Sequence, residues 1–179
     1  MRRLAVSLVA TSFLLVSACG GGARGGATVQ SASVASTAIA PMALSAAAYV
    51  ATASSIDLYE VKSAQMAMER AQDPANRAFA ERALRAHQGT SAQLSFAGRR
   101  LNLLPTATLD PNHQAMLDAL SATADFDNTY RAQQNIVVQE ALRLHSSYAK
   151  TGDSPTLRPV AANAESVMRA NLQALRNSR

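Results

Sequence analysis

From Ser45 onward the sequence runs for 135 residues with only three glycines, Gly89, Gly98 and Gly152. Across that stretch apolar residues recur at spacings of three and four, and nowhere is there sustained two-residue alternation. That period turns one stripe of an α-helix inward but would scatter side chains over both faces of a strand. Alanine, leucine, arginine and glutamine are abundant in the same region, and all four are good helix formers. The chain therefore predicts a single all-α domain over 45–179, long enough to bury one core.

Proline positions divide the helical pattern. A first helix is expected from about Ser45 to Ala71, with Tyr49, Ala53, Ile56, Glu60, Ala64 and Ala67 on its inward stripe. Asp73-Pro74 ends it and starts the next, since aspartate caps a helix and proline at the first position sacrifices no hydrogen bond. The second helix runs from Pro74 to about Leu101, with Phe79, Ala83, His87, Thr90, Leu94, Ala97 and Leu101 inward. Asn102 to Asp110 reads as a loop containing Pro105, and Asp110-Pro111 opens a short helix ending near Ala122. A third long helix spans about Ala124 to Thr151, with Phe126, Tyr130, Val137, Ala141, Leu144 and Tyr148 inward and Gly152 as its stop. Ser154-Pro155 starts a fourth that runs to about Asn177, and Pro159, one turn in, is expected to bend or loosen that start.

Pro74, Arg77, Phe79 and Ala80 match Pro155, Arg158, Val160 and Ala161 at a constant offset of 81. The chain thus reads as two helical hairpins. The segment joining them, with its short helix, is long enough to cross a bundle from end to end. Hairpin pairs with one long crossover form the ferritin-like four-helix bundle.

The N-terminus carries an address. Arg2 and Arg3 precede an apolar run from Leu4 to Val16, too short to span a bilayer but suited to an export signal. Val16-Ser17-Ala18-Cys19 then places small residues before a cysteine, in the manner of a bacterial lipobox, and Cys19 is the only cysteine in the chain. The expected layout is a lipoprotein signal peptide over 1–18, a lipidated Cys19 heading a flexible Gly/Ser/Ala tether over 19–44, and the bundle beyond. Gly20 is similar to the default signal for the outer membrane, so the domain is expected on the periplasmic side of the envelope. The membrane, reached through the acyl chains (palmitate among them), is the one partner this implies.

Charge excludes another class of partner. Past the leader, 15 basic residues face 12 acidic ones, a net charge of about +3, and no basic run exceeds Arg99-Arg100. A nucleic-acid surface would concentrate such charge on one face, so no nucleic acid is expected.

Two polar residues fall on core stripes, Glu60 on the first helix and His87 on the second. They lie at matching distances either side of the Asp73 turn, so an antiparallel hairpin should bring them face to face. Inward Glu and His side chains build the metal sites of four-helix proteins, and this donor pair suits iron, zinc or manganese. The same two groups also satisfy each other as a plain buried hydrogen-bonded pair. The repeat maps Glu60 to Ala141 and His87 to Met168, which supply no matching half. Glu140, His145 and Asn171 lie nearby in sequence without a clear common face. His113 is expected to be exposed, His145 to pack beside the third long helix, and the methionines to fill the core. No phosphate loop, nucleophile elbow or Cys/His zinc pattern occurs. The reading is a non-catalytic, lipid-anchored bundle with a structural or interaction role and no resident cofactor. Its alternative is a metal-binding protein, an oxidase or buffer, using Glu60 and His87.

The residues also carry a family resemblance. Glu60-Val61, Glu69-Arg70-Ala71, Asp73-Pro74, Arg77-Ala78-Phe79-Ala80 and His87 resemble the first hairpin of a bacterial envelope family, domain of unknown function four-one-four-two. Leu109-Asp110, His113-Gln114, Leu117, Leu120-Ser121, Phe126-Asp127, Tyr130, Gly152-Asp153 and Pro155 continue the match in order, from about Tyr49 to Leu175. The resemblance implies a ferritin-like bundle with a glutamate and a histidine at Glu60 and His87. It also implies further histidines where this chain has Gln133, Val138 and Asn171, so only half of such a site is kept.

Overall fold

The computed structural model describes residues 44–178. The expected leader, Cys19 and nearly all of the expected tether lie outside the described residues. Five helices follow in order: α1 (Ala46–Arg70), α2 (Pro74–Arg99), α3 (Pro111–Ala122), α4 (Phe126–Thr151) and α5 (Arg158–Asn177). Among the described residues there is no strand.

The caps follow the residues that suggest them. Ser45 accepts from the Ala48 N–H, Asp73 from Ala75, and Asp110 from both Asn112 and His113. Each side chain thereby satisfies donors that the first turn leaves without intrahelical partners. The last long helix differs from expectation. Ser154 to Leu157 form a turn, closed by the Leu157 and Arg158 N–H groups on the Ser154 carbonyl, and α5 begins only at Arg158. Pro159 is the reason: its ring would meet the carbonyl four residues earlier, so it tolerates only the first turn of a helix.

Gly152 stops α4, but not by a left-handed backbone, since its φ is −58°. A Cβ there would lie 2.6 Å from the Tyr148 ring and 2.6 Å from the Tyr148 carbonyl oxygen. The glycine is needed for close approach. The left-handed residue is Asn102, at φ 56°, in the turn after α2.

Residue pairs across the bundle set the helix directions. Tyr49 meets His145, whereas Tyr59 meets Gln133, so α4 runs antiparallel to α1. Arg82 meets Asn171 and Gln93 meets Asn163, so α5 runs antiparallel to α2. With α1–α2 and α4–α5 as hairpins and α3 in the crossover, this is the ferritin-like four-helix bundle. Its core falls into three clusters: Ala64, Phe79 and Tyr130 toward one end, Ile56, Tyr59 and Met168 at mid-height, and Tyr49, Leu94 and Tyr148 toward the other. Tyr49 and Tyr148 stack with ring centroids 3.9 Å apart.

The hairpins are tied at the α1–α2 turn. Asp127, in the first turn of α4, accepts from the Gln72 and Asp73 N–H groups and from the Asn76 amide. Arg70 closes the last turn of α3 by donating to the carbonyls of Leu120, Ser121 and Thr123.

Candidate functional site

Glu60 sits on α1 and His87 on α2, both with 0 % exposure. A third residue organises them. Asp57, one helical turn before Glu60 on the same face, accepts from His87 Nδ1 at 2.8 Å and from Thr90 Oγ1 at 2.8 Å. A carboxylate oxygen only accepts, so the imidazole carries its proton on Nδ1 and turns Nε2 elsewhere. His87 Nε2 and both Glu60 oxygens are buried without a hydrogen-bond partner.

The electrostatics follow from burial. Desolvation pushes the Glu60 carboxyl above its ordinary range, opposed by the His87 charge and the Gln134 amide. Burial works against a charged His87, but the Asp57 hydrogen bond and the Glu60 charge outweigh it, and the imidazole titrates above its ordinary value. The two groups therefore sense each other's charge.

Other buried atoms without partners lie along the facing helices: Tyr130 Oη, Gln134 Oε1 and His145 Nε2 on α4, and Asn171 Nδ2 on α5. Gln134 donates one amide N–H to Ser63 Oγ, and the Asn171 oxygen accepts from Arg82. Buried polar atoms are normally partnered, and each orphan costs about 1–3 kcal/mol. Glu60 and His87, with Asp57 and Gln134, make a small polar chamber inside an otherwise apolar core.

The chamber fits a metal in part. His87, oriented by Asp57, offers Nε2 in the way metal-bound histidines are held by a carboxylate. Glu60 offers a carboxylate and Gln134 a neutral oxygen. Among the described residues, however, no three His, Cys, Asp or Glu side chains gather to hold a metal ion. The positions where the family resemblance implies further histidines do other work. Val138 packs in the core, and Gln133 accepts from the Tyr59 hydroxyl at 2.7 Å while donating to the Met116 carbonyl.

His113 is not exposed as expected; it is 2 % exposed. Its Nδ1 meets Asp110 at 2.7 Å and Ser55 at 2.9 Å, and its Nε2 faces Glu140 at 3.5 Å. The helical period of α3 alone could not reveal this, because the residues that cover His113 come from α1 and α4. Serine, histidine and aspartate here do not form a nucleophilic relay. Ser55 and Asp110 share one ring nitrogen, and Ser55 Oγ itself donates to Asp110 Oδ2 and accepts from the Asp110 N–H. The cluster pins the crossover to the bundle. His145 packs as expected, its Nδ1 against the Tyr49 hydroxyl at 3.0 Å, and burial lowers its pKa to about 4.

One surface groove approaches the chamber. It lies between α1 and α2, holds about 410 Å³, and is lined by Ser54, Asp57, Gln88, Ser91 and Thr106 among others. Asp57 thus borders the groove on one side and holds His87 on the other.

Residues 31–177 match the family described as Domain of unknown function (DUF4142). No curated protein matches the chain. Among solved structures, CopM in the Cu(II)-bound form is similar at 16 % identity, with a TM-score of 0.64 over 76 % of this chain and 96 % of CopM. At that identity the likeness concerns the fold, a helical bundle.

Proposed function

The chain belongs to the DUF4142 family, and on that premise we propose that it is an exported, lipid-anchored bundle that binds one transition-metal cation in the chamber around Glu60 and His87. It acts as a holder of the ion, not as a catalyst. The observation that carries the reading is the His87 imidazole fixed by Asp57, with its Nε2 and both Glu60 oxygens buried and unpartnered. An imidazole and a carboxylate suit iron, zinc or manganese. CopM is described with Cu(II) bound, so copper belongs among the ions tested. A typical site needs three or four ligands; the buried, unpartnered Gln134 Oε1 is a protein candidate for the third.

Placement in the envelope rests on the basic and apolar leader and on the lipobox cysteine. Cys19 would carry the acyl chains, with the outer membrane as destination. Labelling with a radioactive fatty acid tests this: uptake is expected in the wild type and lost in Cys19→Ser.

Metal analysis tests the site. The purified chain, loaded with iron, zinc, manganese or copper and desalted, should retain one equivalent of one of them. Glu60→Gln and His87→Ala should each abolish retention. A wild-type chain that retains none of the four overturns the reading. It would favour a second one, a purely structural bundle in which Glu60 is kept uncharged by burial, as the upward push on its carboxyl supports.

A further inference from the structure

The two ends of the bundle differ in chemistry. The start of α1, the end of α2, the end of α4 and the start of α5 share one end. That end presents Phe96, 62 % exposed, and Leu104, 71 % exposed, two of the four large exposed hydrophobic side chains among the described residues. The same end carries four exposed cations, Arg99, Arg100, Lys150 and Arg158. The acidic residue in the same turns is Asp153, which accepts from the Tyr148 hydroxyl. At the opposite end, acidic Glu69, Asp73, Asp125 and Asp127 offset Arg70, Arg77, Arg131 and Arg176.

The apolar and basic groups are presented by a well-held turn. The Leu101 and Leu103 N–H groups both bond the Gly98 carbonyl at 2.9 Å, and Asn102 takes the left-handed conformation between them. A side chain at Gly98 would collide with the Leu103 carbonyl oxygen, 2.2 Å from the Cβ position. The Arg100 guanidinium lies 5.7 Å from the Phe96 ring centroid. Leu104 is therefore carried outward on a braced loop.

We propose that this end of the bundle rests against an anionic phospholipid surface, with Phe96 and Leu104 entering the headgroup region and the four cations meeting lipid phosphates. The proposal rests on the reading of Cys19 as the membrane anchor. The chain leaves the bundle at this same end, through Ser45 and Leu44, 25 residues after Cys19. The segment that follows Cys19 therefore joins the bundle at the end that carries Leu104. Basic residues close to an anionic leaflet are attracted individually, and apolar side chains among them add burial at the headgroup boundary. A tether raises the effective concentration of such a surface to the millimolar range, so a weak surface affinity suffices for docking.

The test uses the full chain, anchored by its own N-terminus in vesicles of phosphatidylcholine alone or mixed with an equal part of phosphatidylglycerol. An environment-sensitive dye is attached at Thr151→Cys, beside the basic end, or at Ser121→Cys, at the opposite end. Spin-labelled lipid should quench the dye at position 151 several-fold more than at 121. The difference should appear only with phosphatidylglycerol, and it should vanish in high salt and in the Arg99→Glu, Arg100→Glu variant. Equal quenching at both ends, or quenching at 151 that survives those substitutions, overturns the proposal. So does quenching that needs no phosphatidylglycerol and grows with protein density, which would mean contact between copies. A chain that washes off both kinds of vesicle overturns the anchor reading and this proposal with it. A chain that stays bound without end-specific quenching overturns this proposal alone.

Discussion

Asp57 Oδ1 lies 2.8 Å from His87 Nδ1, and that one hydrogen bond decides what the buried imidazole has left to offer. With Nδ1 committed, Nε2 is the atom left to offer a ligand, and it shares the chamber with a carboxyl group whose two oxygens have no partner. Asp57 itself touches the groove between α1 and α2, so the residue that orients His87 is also the one next to solvent.

Asp57→Asn should weaken metal retention by about 10- to 100-fold, the usual cost of losing a partner behind a metal-bound histidine. An asparagine in its place no longer fixes the tautomer. Competition against a chromophoric chelator measures the change. Unaltered affinity in Asp57→Asn would remove the orienting role while leaving Glu60 and His87 as ligands.

The crossover should respond to alkali. Burial opposes charging His113, but the Glu140 hydrogen bond and the charges of Asp110 and Glu140 more than offset it, so its pKa lies above 6.5 in the folded state. A raised histidine pKa contributes stability that is complete below the unfolded value and lost as pH rises through the folded one. His113→Gln should cost about 1–3 kcal/mol near pH 6.5, and the cost should shrink as the pH is raised. Urea unfolding across the pH series, with an NMR titration of the ring, checks both the sign and the window.

His145 should act in the opposite sense. Burial lowers its pKa from 6.5 to about 4, so the unfolded chain takes up a proton in that interval and the folded chain does not. Its contribution is present above pH 6.5 and is lost as pH falls toward 4. The lost stability should approach about 3 kcal/mol, at 1.36 kcal/mol per pKa unit. His145→Asn should flatten that part of the acid limb in urea unfolding; an unchanged limb would assign the acid sensitivity elsewhere.

Two glycines predict opposite outcomes from the same substitution. Gly152→Ala would push a methyl group into the Tyr148 ring and carbonyl, and should cost about 1–3 kcal/mol through overpacking. Gly89 is exposed within α2 and nothing lies within 4 Å of its Cβ position. Gly89→Ala should therefore stabilise the protein by about 0.5–1 kcal/mol through helix propensity. Thermal unfolding of both variants decides.

Much of this architecture was legible in the sequence because it depends on local chemistry. The three-and-four spacing found the inward stripes, and every residue expected inward on the first helix is buried, from Tyr49 to Ala67. Asp73-Pro74 and Asp110-Pro111 marked two helix starts through capping, which involves only near neighbours. Glu60 and His87 were legible as polar residues on apolar stripes. Asp57 was not, although it shares a face with Glu60 and meets His87, because its neighbour Ile56 already satisfies the apolar period and its partner is 30 residues away. His113 was missed for the same reason: its burial depends on Ser55 and Glu140, residues that only the folded crossover brings near. The start of α5 shifted because Pro159 outweighed the repeat that aligned Pro155 with Pro74.

The complete burial of Glu60 and His87 turns binding at this site into a question of time. An ion held there would sit behind ligands that are 0 % exposed. It would have to wait for α1 and α2 to part beside Asp57, and to wait again to leave. Both capture and release would be gated by helix opening, so such a site favours long residence over rapid exchange. A bundle of this kind would behave as a store that empties slowly, whatever its equilibrium affinity.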